Sequence, residues 1–379
     1  MEKRILLATP TMHGEEQIFI KEAFDTNWVA PLGKNVDEFE KGMAEYVGVK
    51  ASTALVSGTA ALHLAVKLAG VKSGDIVLAS DVTFAATVNP VAYENGTLVF
   101  IDSERDTWNM CPKALEKALE KYGSRVKAVM VAHLYGTPAK LDEIKSLCDK
   151  YNVVLIEDAA ESLGATYKGA QTGTFGKYSA ISFNGNKIIT SSGGGMLLSN
   201  EIEDVKKARF WATQSREPFP WYQHNEIGYN YRMSNIVAGV GRGQLLHLDE
   251  HIALKKDIYN RYKEGFAGLP IKMNPYLDCM EPNYWLSCLI IDSDVVSSGK
   301  VTPEMIRVEL DRNNIEARPI WKPMHLQPVF EDCDFVTAGE EVVGEDIFAR
   351  GLCLPSDIKM TEEEQGEVIR IIREMFKNV

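Results

Sequence analysis

Residues 153–161 read Val-Val-Leu-Ile-Glu-Asp-Ala-Ala-Glu, an apolar run that ends in acidic residues separated by small ones. Four more short apolar runs lie between about residues 50 and 200, with helical patterns between them. The five runs begin at Ile76, Thr97, Ala128, Val153 and Ala180. Strands that are apolar along their whole length and alternate with helices are typical of a mostly parallel sheet covered on both faces. We therefore predict an α/β fold built on such a sheet.

Apolar residues at helical spacing predict the elements around these strands. Helices are expected at 60–68, 112–121 and 141–150, and a long helical stretch from Ser234 to about Leu269. Glycines at 239, 241 and 243 leave three positions in the first half of that stretch without side chains, which indicates close packing against another element.

The last part of the chain has the pattern of a smaller α/β unit. It offers a strand at 285–291 and helices at 303–312 and 362–376. We therefore expect a large domain over residues 1–254 and a small domain over residues 255–379.

Composition excludes several classes of protein. The 379 residues carry a formal charge of −12, and no run of Lys or Arg is longer than a pair, which disfavours nucleic acid as a partner. No signal peptide is recognisable and no apolar stretch approaches ~20 residues, so we expect a cytoplasmic protein without a membrane partner. Six cysteines without a C-x-x-C pair favour buried free thiols, and we predict no metal site.

Asp158 is the first candidate for chemistry, because ligands of an open parallel sheet collect at the carboxyl ends of its strands. A carboxylate there can pair with a protonated pyridine-type nitrogen, and Ala160 is small enough for a flat ring to lie against the backbone. The alternative is a helix N-cap, since Asp before a small-residue helix start is common. The residues alone leave both interpretations open.

Lys187 is the second candidate. It follows the apolar run at 180–183 and precedes the glycines at 193–195. A lysine shielded from water can form a Schiff base and later move a proton. The alternative is a surface lysine in a flexible turn, but consecutive glycines permit a ligand to approach the backbone.

An anion site is indicated at residues 56–62, Val-Ser-Gly-Thr-Ala-Ala-Leu, where a strand-like run passes into an apolar helix. Free N–H groups at a helix N-terminus attract phosphate, although the same residues also make an ordinary N-cap. Neither a P-loop nor G-x-G-x-x-G is present there, which disfavours a nicotinamide oxidoreductase. Phe84 follows the run at 76–79 and can stack on a planar ligand, although most phenylalanines are simply core.

Taken in order, these motifs resemble the sugar aminotransferases that use pyridoxal phosphate, the DegT/DnrJ/EryC1/StrS family. The matching residues are Ser57-Gly58-Thr59-Ala60, Phe84, Asp158-Ala159-Ala160-Glu161, Ser182, and Lys187 with Gly193-Gly194-Gly195. The resemblance extends from Trp28 through residues 228–234 to His325. It implies the type I fold of pyridoxal-phosphate-dependent transferases, similar to aspartate aminotransferase, and transfer of an amino group from L-glutamate to a keto-sugar.

The resemblance also implies a role for each matched residue. Lys187 would bind pyridoxal phosphate covalently and move protons, and Asp158 would pair with the pyridinium nitrogen. Phe84 and Ala160 would flank the ring. The phosphate would be held by Gly58, Thr59, Ala60 and Ser182, and by Asn230 from the partner subunit of a homodimer.

Glu161 stands where relatives carry Gln or His beside the ring's 3′-oxygen, or it fixes the amino or sugar group. The retained Lys187 favours transamination, because dehydrating relatives have histidine there.

Shorter motifs at 30–33, 135–139 and 212–217 resemble the subgroup that acts on UDP-4-keto-6-deoxy-N-acetylglucosamine, on the way to bacillosamine or legionaminic acid. A GDP-linked 4-keto-6-deoxymannose, which gives perosamine, is the nearest alternative, and a non-catalytic regulator that binds pyridoxal phosphate is a distant one. A nucleoside diphosphate needs cationic partners. We expect substrate contacts from Trp28, Arg216, Arg318 and His325.

Each of the three charged residues expected to contact the substrate also has an ordinary structural interpretation. Arg216 can pair with a surface carboxylate, Arg318 can brace its proline loop, and His325 can be a core histidine.

Overall fold

The computed structural model describes residues 4–377 of the chain. The strands are β1 (Ala51–Leu55), β2 (Ile76–Ser80), β3 (Thr97–Ile101), β4 (Val126–Ala132), β5 (Val154–Asp158), β6 (Thr166–Tyr167), β7 (Ala170–Gln171), β8 (Tyr178–Ser182), β9 (Gly195–Ser199), β10 (Ile271–Met273), β11 (Met280–Glu281), β12 (Cys288–Ile291), β13 (Arg318–Pro319), β14 (Asp334–Val336) and β15 (Gly351–Cys353). The helices are α1 (Glu15–Asp25), α2 (Lys34–Val47), α3 (Gly58–Leu68), α4 (Asn89–Tyr93), α5 (Pro112–Tyr122), α6 (Leu141–Tyr151), α7 (Ile202–Ala212), α8 (Asn235–Leu245), α9 (Leu248–Gly265), α10 (Ser293–Ser297), α11 (Pro303–Arg312), α12 (Val343–Arg350) and α13 (Glu362–Met375).

The central sheet has eight strands in the order β1-β9-β8-β5-β4-β2-β3-β14. The pairs from β8 to β14 are all parallel, whereas β9 runs antiparallel to both of its neighbours. Every residue of β2 is buried, as a strand covered on both faces requires. The mostly parallel sheet predicted from the five apolar runs is confirmed.

Two smaller sheets accompany the central one. Strands β10, β12, β15 and β13 form an antiparallel sheet, and β11 pairs with β6, which pairs with β7. All strands of the four-stranded sheet come from residues after 255, but β14 and β11 leave that part of the chain to pair with β3 and β6. Helix α9 runs across residue 254. The division into domains at that residue stays a prediction.

The long helical stretch expected from Ser234 to about Leu269 is present but consists of two helices, because the chain turns between α8 and α9. The N–H groups of Leu246 and His247 bond three residues back, to the carbonyls of Gly243 and Gln244, and this tight turn ends α8. The expected close packing is present. A Cβ on Gly243 would lie 2.6 Å from the backbone nitrogen of Glu16, so α8 lies directly against α1.

The strand ends position the site. Because neighbouring parallel strands end at one edge, the loops after β2, β4, β5 and β8 meet there, beside the first turn of α3. No helix among residues 4–377 combines the length and the apolar composition that a membrane crossing needs.

Candidate active site

A cavity of about 510 Å³ opens at this edge of the central sheet. Its floor comes from the strand ends and the first turn of α3, and its far wall comes from Trp285, Arg318 and Trp321. The expected catalytic residues Lys187 and Asp158 both line it. The fold therefore brings together groups that are far apart in the sequence.

Asp158 ends β5 and is buried, with 7% of its surface exposed. Its Oδ2 accepts a 2.6 Å hydrogen bond from the Thr87 hydroxyl, and its Oδ1 accepts one of 3.1 Å from the N–H of Ala160. The chain after Asp158 forms turns over residues 160–164, so the N-cap interpretation lacks its helix. The carboxylate is held instead with a face toward the cavity.

Thr87 is a site residue that sequence reasoning missed. Its hydroxyl lies 2.6 Å from that of Thr83, and both are buried. Since Thr87 donates to Asp158, Thr83 donates to Thr87, and this short chain fixes the carboxylate. Both threonines lie near Phe84, but nothing in the sequence joins them to Asp158.

Lys187 points into the cavity and only 12% of its side chain is exposed. Its Nζ lies 3.4 Å from Oε1 of Glu161 and 4.2 Å from the ring centre of Trp285. The indole N–H of Trp285 donates to the carbonyl of Asn186, 2.7 Å away, which holds the ring over the amine. This placement does not fit a surface lysine in a flexible turn.

Glu161 is the second carboxylate beside Lys187. Its Oε2 accepts a 2.8 Å hydrogen bond from the N–H of Tyr135. Burial raises the pKa of Glu161 from 4.5 to about 7, although the nearby ammonium group of Lys187 opposes this rise. Near neutral pH this side chain can therefore donate a hydrogen bond or accept one.

His133, at the end of β4, also lines the cavity and was not predicted. Its Nδ1 accepts from the N–H of Ala139 at 3.2 Å, so the ring proton lies on Nε2, which donates to Glu157 at 3.0 Å. Glu157 accepts further bonds from backbone N–H groups of residues 173, 175 and 176. The imidazole is thus fixed in one orientation beside Asp158. Because His133 directly follows an apolar strand, the rule that identifies Asp158 from the sequence also applies to His133.

The anion site at the start of α3 has the geometry of a phosphate cradle. Gly58, Thr59 and Ser182 line the cavity, and first-turn N–H groups have no partner within their own helix. A Cβ on Gly58 would lie 3.0 Å from Cβ of Ser182, so the two segments meet there. The N–H of Ala60 donates to Ser57 Oγ at 3.0 Å and the residue is buried, so its expected contact with the phosphate stays a prediction.

Three of the four expected substrate residues lie outside the cavity of this chain. Trp28 is exposed and its carbonyl accepts from Asn235, while the Arg216 guanidinium lies 4.3 Å from the ring centre of Tyr222. His325 is held by two carboxylates, with Nδ1 2.7 Å from Asp81 and Nε2 3.1 Å from Glu345. A histidine with both ring nitrogens paired in this way fits the alternative interpretation, in which His325 supports the fold and does not contact substrate.

Arg318 lies at the cavity rim, where its exposed side chain pairs with Glu316 at 2.7 Å. Asn230 is exposed and lies outside the cavity lining of its own chain. If it takes part in the site, it does so in a second copy.

The cavity suits pyridoxal phosphate. It offers an amine shielded by an indole ring, a buried carboxylate held by a hydroxyl, and first-turn N–H groups for an anion. Phe84 and Ala160 both line it, and Phe84 is 58% exposed toward this open space. Lys187, Asp158, Thr59 and Ser182 are the residues that would hold the cofactor.

Comparison with known proteins agrees with this geometry. The model of the DegT/DnrJ/EryC1/StrS aminotransferase family matches residues 10–373. EpsN of Bacillus subtilis (strain 168), provisionally assigned as a pyridoxal phosphate-dependent aminotransferase, is 52% identical over 100% of this chain and 97% of its own length. GDP-perosamine synthase of Caulobacter vibrioides is 33% identical over 98% of each chain.

A Campylobacter jejuni UDP-4-amino-4,6-dideoxy-N-acetyl-beta-L-altrosamine transaminase is 37% identical over 79% of this chain and 77% of its own. The crystal structure of a DegT/DnrJ/EryC1/StrS aminotransferase from Brucella abortus superposes with a TM-score of 0.87, at 26% identity and 96% coverage of both chains. The predicted type I fold is confirmed. The chain belongs to the DegT/DnrJ/EryC1/StrS family and is a sugar aminotransferase that depends on pyridoxal phosphate.

Proposed function

We propose that this enzyme moves the amino group of L-glutamate to C4 of UDP-4-keto-6-deoxy-N-acetylglucosamine. The observation that carries amino transfer is the largely shielded Lys187 amine, which shares one cavity with Asp158 and Glu161. The choice of sugar substrate is supported by the resemblance to the UDP-sugar subgroup. It is also supported by the Campylobacter relative, whose name specifies a UDP-linked, N-acetylated, 6-deoxy sugar with nitrogen at C4.

Each catalytic side chain has a task that follows from its surroundings. When bound, pyridoxal phosphate supplies an electron sink for the carbon that loses a proton. Lys187 Nζ takes that proton and returns it, and the Trp285 ring keeps water away from the amine. The Asp158 carboxylate stabilises positive charge on a ring nitrogen, and Thr87 keeps it oriented.

The nucleotide end of the substrate would meet the rim of the cavity. Arg318 supplies a cation there, and because its side chain is 69% exposed its ion pair with Glu316 is open to solvent and to an incoming phosphate. Arg318→Ala should raise KM for the nucleotide sugar more than it lowers kcat, because its exposed side chain pairs with Glu316 at the rim, whereas the Lys187 amine contacts Glu161 and Trp285. Its KM for L-glutamate is the internal control.

A homodimer with shared sites belongs to this proposal. Near Asn230 the chain exposes large apolar side chains, with Trp221 61%, Tyr222 76% and Ile227 81% exposed, and a second copy would cover them. Mixing two inactive variants, Lys187→Ala and Asn230→Asp, tests the sharing. Hybrid dimers then contain one intact site, so activity should return to about a quarter of the wild-type level. If no activity returns after subunit exchange, the site is not shared.

Product analysis tests the substrate. The enzyme is incubated with L-glutamate and either UDP-4-keto-6-deoxy-N-acetylglucosamine or GDP-4-keto-6-deoxymannose, and the aminated sugar is identified by mass spectrometry. Turnover of the UDP sugar is expected. Turnover of the GDP sugar alone would favour the second candidate, perosamine synthesis, which is supported by the 33% identity to GDP-perosamine synthase.

The cofactor attachment has its own readout. Borohydride treatment of the yellow holoenzyme should fix the cofactor to the peptide that contains Lys187. Lys187→Ala should lose turnover and fixation but still bind the cofactor reversibly through the phosphate cradle. Fixation to another lysine would contradict the assigned role.

A further inference from the structure

A cluster of three histidines and one glutamate lies outside the cavity, behind residues 183–194, which carry Lys187 and which we call the lysine loop. We call His13, His247, Glu250 and His251 the histidine cluster. His13 directly precedes the α1 N-cap, and the other three belong to the start of α9, with the two histidines four residues apart. Side chains at that spacing lie on one face of a helix.

The side chains of the cluster are in direct contact. His13 Nε2 lies 2.8 Å from His251 Nε2, and the His13 ring stacks on that of His247 with 3.7 Å between ring centres. Ligand atoms of His13, His247 and Glu250 all lie within 4.8 Å of one another. Potential nitrogen and oxygen ligands of these three residues therefore lie close together, and His251 adjoins them through His13.

The surroundings orient these rings. His251 is buried and its Nδ1–H donates to the carbonyl of Ile188 at 2.8 Å, so its Nε2 presents a lone pair to His13. A histidine that binds a metal typically donates its other ring N–H to a carbonyl or carboxylate in this way. Glu16 accepts from the backbone N–H groups of His13 and Gly14, which fixes the segment carrying the His13 ring.

We propose that the histidine cluster binds one divalent transition-metal ion of the Zn²⁺ class. Imidazole nitrogen with one carboxylate is a donor set that suits Zn²⁺, whereas Ca²⁺ and Mg²⁺ prefer sites built from oxygen. The ligands are Nε2 of His13 and His251, a carboxylate oxygen of Glu250, and a ring nitrogen of His247. Zn–N bonds of about 2.0–2.1 Å need movements of these side chains, including rotation of the stacked His247 ring.

Binding would join three parts of the fold. His13 belongs to the N-terminal segment, His247 and Glu250 to α9, and His251 reaches Ile188, the residue after Lys187. The ion therefore acts as a structural clamp behind the lysine loop. Lys187 Nζ itself points away, toward Glu161 and Trp285, so the ion is not part of the reacting groups.

Calorimetric titration of the chelator-treated, untagged holoenzyme with Zn²⁺ tests the proposal. One ion per chain should bind, and His251→Gln and His13→Gln should each weaken binding at least tenfold. The control is His224→Gln, an exposed histidine outside the cluster, and Cys279→Ser is a second control that removes an exposed thiol, a type of side chain that can ligate zinc. Both controls should keep wild-type affinity.

Two results overturn the proposal: no saturable binding of one ion per chain, or binding that both cluster variants retain. Far-ultraviolet circular dichroism checks that the variants are folded. If His13→Gln or His251→Gln fails to fold, Glu250→Gln replaces it, because this residue is exposed and its loss leaves no buried group unpaired. Co²⁺ gives a second readout, since its visible absorption in the site should disappear in the same variants.

Discussion

Glu161 makes the fold of the cofactor-free protein sensitive to pH. Burial raises the pKa of its carboxyl from 4.5 to about 7, so between these values the folded protein holds a proton that the unfolded chain has lost. The stabilisation from this proton is complete below pH 4.5 and is lost as the pH rises through 7. The difference corresponds to about 3 kcal/mol of unfolding free energy, at about 1.4 kcal/mol for each pKa unit.

Glu161→Gln should remove this dependence. The amide cannot ionise, but its oxygen can still accept the N–H of Tyr135. The assay is urea unfolding of the cofactor-free proteins at several values between about pH 4.5 and 8. The difference in unfolding free energy between variant and wild type should change by about 3 kcal/mol in favour of the variant over this range. Taking the difference cancels the titrating groups that do not interact with Glu161.

Glu264→Gln is the matched control, because that carboxylate is exposed on α9. Its unfolding free energy should follow the wild type at every pH. If the curves of Glu161→Gln and the wild type run parallel as well, the carboxyl of Glu161 is not held protonated by burial, and the reasoning fails.

Three further substitutions test how the site is supported. Thr87→Val removes the hydroxyl that holds Asp158 and should lower kcat roughly tenfold with the cofactor still bound; an unchanged kcat would show that the bond is incidental. Gly136→Ala places a Cβ 1.9 Å from Oδ1 of Asn283 at a φ of +95°, so calorimetry should show a loss of roughly 2 kcal/mol or more. Glu40→Leu leaves a buried arginine unpaired and should cost about 3–5 kcal/mol in urea unfolding; a neutral result would contradict the buried pair.

The sequence predicts the catalytic pair because a simple rule places both residues. Apolar runs define parallel strands, and the polar residues after such strands meet at one edge of the sheet. Asp158 is registered opposite Ala180, and Lys187 follows the same strand that carries Ala180. No long-range side-chain information was needed for this step.

The supporting residues depend on contacts that no local pattern encodes. Thr87 and Asp158 are 71 positions apart, and Trp285 lies almost a hundred positions from Lys187. Arg216 and His325 lie outside the cavity of this chain, and their expected contacts with the substrate stay predictions. The direction of a long side chain is set by its neighbours, which are Tyr222 for the arginine and two carboxylates for the histidine, and no local pattern encodes these contacts.

The two carboxylates of the cavity differ in how firmly they are held, and this difference suits their tasks. Asp158 is fixed by a hydroxyl at 2.6 Å and a backbone N–H, so it can orient a ring without moving. The 3.4 Å contact between Lys187 and Glu161 is longer than the 2.7–2.9 Å of a strong ionic hydrogen bond. The amine is therefore shielded by Trp285 without being locked to its acidic neighbour. A lysine that must attach to a cofactor, leave it and carry a proton needs this looser restraint.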